Sequence, residues 1–278
     1  MMKKIALTCF LSVFMLHFYA QSYSFRVDSS GNGADAILFL PGFASHGDVW
    51  KPTARALHLK GKKYFFTMPG FAGVKADSKV AFDSWIKELE GFAKNHSWNK
   101  VVIVGHSMGG GMALTLAARL PELLDKVVIV EALPFLAGLR NPMAQGGAIE
   151  CEAMQERLMA MPREAFRKQQ EQTVASMVQD TSYRNRVLQW SMLSDRGTFA
   201  RVYCDFLNQD LRPLLPKIEA EVLVVMQPSF KLQETAVREQ YKSLESYRLQ
   251  FAPQGLHFLM YDAAQWFRQQ LQSFISHP

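Results

Sequence analysis

Residues 101–120 leave this chain few architectures. Val101, Val102, Ile103 and Val104 lead directly into Gly105-His106-Ser107-Met108-Gly109. Gly110 and Gly111 come next, and then small and apolar residues at helical spacing. A short apolar, β-branched run bounded by glycine reads as a buried strand, and the segment after it reads as a helix. The serine therefore stands on a sharp strand-to-helix corner. Flanking glycines remove the Cβ clashes that such a corner would cause. The free N–H groups and the dipole of the helix N-terminus favour negative charge beside Ser107.

The same alternation extends along the chain. Strand-like runs occupy residues 23–27, 36–40, 64–67, 126–130, 222–226 and 247–251. Helical periodicity is expected over 48–60, stopped by Gly61, and over 109–120, stopped by Pro121. Apolar residues at 82, 85, 86, 89, 92 and 93 form a clear helical stripe, and 263–274 is a closing amphipathic helix. Strands alternating with helices imply an α/β fold, with a mostly parallel central sheet covered by helices on both faces. The alternation stops between residues 134 and 216, which hold no strand-like run and read as several helices. This segment is expected to be a helical cap inserted into a core made of 21–133 and 217–278. Its methionines (143, 154, 159, 161, 177 and 192) and its aromatic residues form either an apolar roof over a substrate or the cap's own core.

Residues 1–20 have the layout of a secretory signal peptide. Lys3 and Lys4 precede an apolar run of about fifteen residues, and Ala20-Gln21 offers a cleavage point, although Phe18 is large for its place before it. The run is too short for a confident membrane span. Cys9 within it is a poor lipoprotein site. The mature chain is expected to be exported, periplasmic or secreted, with no stable membrane insertion. Losing Lys3 and Lys4 takes the formal charge from +6 to +4. No basic run or aromatic–basic interleaving points to nucleic acid. Cys151 and Cys204 remain in the mature chain, either as a disulfide, which an oxidising compartment permits, or as two buried thiols.

Gly105-His106-Ser107-Met108-Gly109, in its strand–turn–helix setting, resembles the G-x-S-x-G nucleophile elbow of the α/β-hydrolase superfamily, serine esterases and lipases with a helical cap. The resemblance covers most of residues 22–278. It implies a nucleophilic Ser107 and an oxyanion hole made by the backbone N–H groups of Met108 and Phe43, the latter in Leu40-Pro41-Gly42-Phe43. It makes Met68-Pro69-Gly70-Phe71 a structural turn. The family's order of nucleophile, acid, histidine points to His257, in the loop after the last strand. His46 is a loop residue, and His106 is the variable residue of the elbow.

The acid departs from the common pattern. Most members carry an aspartate just after the strand that follows the cap, where this chain reads Met226-Gln227-Pro228-Ser229. Glu131, one strand earlier, ends 127–130 at the carboxyl edge of the sheet and is assigned the orienting role. Glu234, Asp205, Asp210 or no acid at all are the alternatives. Asp210 can also pair with Arg212 or cap a helix. The resulting expectation is a serine hydrolase that cleaves a carboxylic ester of a small apolar or aromatic substrate, with no cofactor and no metal. Amide, thioester, carbon–carbon or peracid chemistry, and a non-catalytic ligand-binding protein on the same fold, remain as alternatives.

Overall fold

A computed structural model describes residues 22–57, 59–77, 81–147 and 149–276. The proposed signal peptide lies outside these residues. Seven strands form one sheet: β1 (Arg26–Ser30), β2 (Ala36–Leu40), β3 (Lys62–Thr67), β4 (Val101–His106), β5 (Lys126–Val130), β6 (Glu221–Met226) and β7 (Tyr247–Phe251). Their order is β1-β3-β2-β4-β5-β6-β7, with only β1 antiparallel to its neighbour.

The period of two along each strand assigns side chains to the two faces. Ile37, Phe39, Val102, Val104, Val128, Val130, Leu223 and Val225 face one core. That core is completed by α1 (Lys51–Ala56), α9 (Leu259–Asp262) and α10 (Ala264–Ser276). Leu38, Leu40, Ile103, Val127, Ile129 and Val224 face the other, against α2 (Phe82–Lys94), α3 (Met108–Arg119) and α8 (Glu234–Tyr241). The stripe expected on α2 is the set it buries: Phe82, Trp85, Ile86, Leu89, Phe92 and Ala93. Full burial of each large apolar side chain is worth about 1.5–3 kcal/mol.

Between β5 and β6 lie α4 (Glu152–Ala160), α5 (Arg163–Met177), α6 (Thr181–Leu193) and α7 (Arg196–Asn208). They supply Phe166, Phe199 and Val202 to one core and Val174, Val187 and Trp190 to the other. Met143 and Met159 stand exposed, while Met161 and Met192 pack inward. Cys151 and Cys204 are joined by a disulfide, with their Cα atoms 5.6 Å apart. Asp195 caps α7 by accepting from the Thr198 N–H at 2.8 Å, and Asp210 pairs with Arg212 at 2.6 Å.

Two sequence expectations are corrected. The first strand covers Arg26–Ser30 instead of 23–27. Tyr23 and Phe25 alternate like strand residues, but their rings stack on each other and meet Phe92. The intervening Ser24 N–H donates to Glu88 at 2.7 Å, and no sheet ladder takes it. The helix expected over 48–60 is a 3-10 turn, Gly47–Trp50, followed by α1, and it ends at Leu57, which is extended. Leu57 and Leu59 are both buried in the same core.

Candidate active site

The chain passes from β2 outward to β3, then returns across β2 to β4 and continues the other way through β5, β6 and β7. The crevice between the carboxyl ends of β2 and β4 is therefore a topological switch point, the usual ligand position in open α/β sheets. Phe43 follows β2 and Ser107 follows β4 at this crevice.

Ser107 has φ 53° and ψ −120°, a strained conformation for a residue with a Cβ. The corner is held by backbone bonds. The Ser107 N–H donates to the Val130 carbonyl at 2.8 Å, and the Ser107 carbonyl accepts from Gly110 and Gly111. A Cβ on Gly105 would collide with the Gly109 carbonyl, which accounts for glycine at that flank. Met108 opens α3, and the first N–H groups of a helix have no partner within it.

The next strand end is built alike. Glu131 follows β5 with φ 55°, and its N–H donates to the Val225 carbonyl at 2.9 Å. Its side chain is fully buried. Oε2 lies 3.2 Å from His257 Nδ1, and Oε1 accepts the N–H of Gln227, the first residue after β6. Burial pushes the Glu131 carboxyl above its ordinary range, and the His257 and Gln227 bonds pull it back. The Tyr241 hydroxyl, buried on α8, donates to the Ala132 carbonyl at 2.7 Å and braces this strand exit.

His106 is completely buried, and desolvation, with His257 nearby, holds its pKa well below the ordinary 6.5. The neutral ring donates from Nε2 to the His257 carbonyl at 2.8 Å. Its Nδ1 has no hydrogen-bond partner. The two imidazoles lie 4.7 Å apart, centre to centre. On the opposite side, a Cβ placed on Gly42 would stand 2.8 Å from His106 Nδ1 and 3.2 Å from Ser107 Cβ. This close approach of the β2 loop requires glycine. Beyond it the chain turns tightly at Ala44, and Phe43 stacks edge-on against Phe71 and Phe199.

Glu131, His257, His106, Ser107 and Gly42 thus form a continuous set, linked by hydrogen bonds, adjacent rings, chain neighbours and close approach. The other carboxylates stand apart from it. Glu234 pairs with Lys231 and Arg238 at the surface, Asp205 accepts from the Phe82 N–H at 3.3 Å, and Asp210 is taken by Arg212. His46 caps the Gly47–Trp50 turn and stacks on Trp190, and burial lowers its pKa. Met68-Pro69-Gly70-Phe71 is a turn closed by the Phe71 N–H to Met68 carbonyl bond, and its Gly70 carbonyl accepts from Asp195 of the inserted helices. Among the described residues, no group of three or more His, Cys, Asp or Glu side chains could hold a metal ion. The Gln227 amide and the His106 bond to the His257 carbonyl were not foreseen. Both depend on a backbone group brought from a distant segment.

A mostly parallel sheet covered on both faces, with a strained serine after its central strand, Glu131 after the next strand and its partner His257 after the last, defines the class as α/β. Residues 37–270 match the alpha/beta hydrolase family, and the chain belongs to it. It is 30% identical over 119 residues to a putative esterase/lipase of Mycoplasma pneumoniae, covering 42% of this chain and 43% of that protein. It is 29% identical over 111 residues to a pimeloyl-[acyl-carrier protein] methyl ester esterase of Nitrosomonas europaea, covering 40% and 42%. The matches thus span less than half the length of either relative. In three dimensions it resembles an esterase from Exiguobacterium antarcticum (TM-score 0.76, 15% identity, 91% of this chain and 96% of the other). An enol-lactonase from Burkholderia xenovorans gives a TM-score of 0.74, with the same identity and coverage. At that identity the likeness concerns the fold.

Proposed function

We propose that this protein is a serine hydrolase that cleaves a carboxylic ester of a small apolar or aromatic substrate. The observation that carries the reading is the 3.2 Å contact between His257 Nδ1 and Glu131 Oε2, made beside a serine held at positive φ. With Nδ1 committed to the carboxylate, the proton sits on Nδ1 and Nε2 is left as the base. Ser107 Oγ attacks the ester carbonyl and gives its proton to His257 Nε2. The imidazolium is stabilised by Glu131. The Met108 and Phe43 N–H groups receive the oxyanion. Collapse of the tetrahedral intermediate returns the proton to the departing alkoxide and leaves an acyl-serine. Water, deprotonated by the same imidazole, then releases the acid. The Phe43 ring, next to the proposed oxyanion donor, meets the rings of Phe71, Phe199 and Tyr203, an apolar setting that supports an apolar or aromatic substrate.

The test is labelling by a fluorophosphonate, together with turnover of p-nitrophenyl esters of rising chain length. The wild type is labelled, Ser107→Ala is not, and the chain-length optimum sizes the acyl site. A folded wild type that neither labels nor turns over would point to a binding protein instead. Export is part of the same proposal, and the Cys151–Cys204 bridge supports an oxidising compartment. The mature protein isolated from the producing cell would begin at Gln21.

A further inference from the structure

Asp262 is a buried carboxylate five residues beyond His257, on the four-residue helix α9. Its Oδ2 accepts the Leu256 N–H at 2.9 Å, on the residue just before His257. Its Oδ1 accepts the Gln179 and Asp180 N–H groups at 3.0 and 2.9 Å, in the turn between α5 and α6. Just after His257, the Phe258 N–H donates to the Met177 carbonyl of α5 at 3.2 Å. The loop that carries the imidazole is therefore bonded to the inserted helices directly at Phe258 and, through the Asp262 carboxylate, at Leu256, so that one carboxylate makes the larger share of the connection.

From this geometry we infer that Asp262 is a positioning residue that fixes His257 and the α5–α6 turn as one unit. The inference rests on the reading of His257 as the base and extends it. A helix as short as α9 has little stability of its own, so its placement must come from tertiary bonds. A carboxyl group that collects three N–H donors in a buried setting makes directional bonds that fix its partners. The imidazole meets Glu131 through one 3.2 Å contact, and small displacements of its loop would open that contact. The seating of the inserted helices and the geometry of the base are thereby set together, although no residue of the α5–α6 turn takes part in the chemistry.

Native-state hydrogen exchange of the full-length mature protein in rising urea tests this without any substitution. The Leu256, Phe258, Gln179 and Asp180 amides should open with one common free energy and one denaturant slope. Separate openings would overturn the inference. Asp262→Asn keeps the size and one oxygen but turns an NH2 toward N–H donors. In the folded variant these amides lose protection together, and kcat falls by about tenfold to a hundredfold, with KM within about twofold. Wild-type kcat, or lost protection at Leu256 with none lost at Gln179 and Asp180, would also overturn it. If the wild type hydrolyses no ester, the hydrolase reading fails, and the exchange result still decides the linkage.

Discussion

His257 Nδ1 lies 3.2 Å from Glu131 Oε2, although 126 residues of chain separate them. The carboxylate stands one strand earlier than the common pattern of the superfamily has it. The backbone N–H of Gln227, the residue in the usual place, donates to it instead. The position after β6 thus bonds the Glu131 carboxylate without supplying one of its own.

Glu131→Gln retains shape and removes the charge that faces the imidazolium. Turnover should fall by about 10²–10⁴-fold, with substrate binding little changed. Glu234→Gln removes only surface pairs with Lys231 and Arg238, so steady-state kinetics should match the wild type. Strong loss from Glu234→Gln with little from Glu131→Gln would reverse the assignment.

His106 links protonation to folding. Its folded pKa is depressed, so in acid the unfolded chain binds a proton that the folded chain refuses. Its contribution to stability is therefore complete above pH 6.5 and is lost as pH falls toward the depressed value. The loss approaches about 1.4 kcal/mol per pH unit for this one group. Urea denaturation across pH 5–7 should show a shallower slope in His106→Gln than in the wild type. Equal slopes would mean that the ring is protonated in the fold.

Gly42→Ala places a methyl group against His106 Nδ1 and Ser107 Cβ, at 2.8 and 3.2 Å. The β2 loop or the serine corner must move. We expect kcat to fall by about tenfold or more, while Tm drops by only a few degrees. An unchanged kcat would show that the loop has room the geometry denies.

The disulfide closes a separation of 53 residues, and α4, just after Cys151, buries none of its side chains. On the chain-entropy account, a loop of this length contributes about 4 kcal/mol. Cys151→Ser with Cys204→Ser should lower stability by up to that amount, and exchange should locate the first losses in α4. Calorimetry with and without reductant checks the total. A variant as stable as the wild type would mean that the bridge staples nothing.

Much of this site is visible in the sequence because it is local. The glycine-flanked corner at Ser107, the strand runs and the stripe on α2 are written in neighbouring residues, whose periods of 2 and 3.6 follow from backbone geometry. Glu131 could be singled out because the usual position holds Gln227. Tyr23 and Phe25 misled because alternation also arises where two aromatic rings pack without a ladder. The helix stops at Ala56 and not at Gly61 because Leu57 is extended, a backbone choice that the apolar pattern does not encode.

Local pattern by itself determined an alternating α/β chain, a serine on a strained turn and an interruption by helices. Tertiary structure alone decided which acid meets His257, that His106 donates to the His257 carbonyl, and that Asp262 joins Leu256 to Gln179 and Asp180. The reason is physical. Side-chain period is a property of a few consecutive residues. A buried carboxylate's partners are backbone N–H groups, which every residue but proline carries alike, and only the folded path of the chain selects among them.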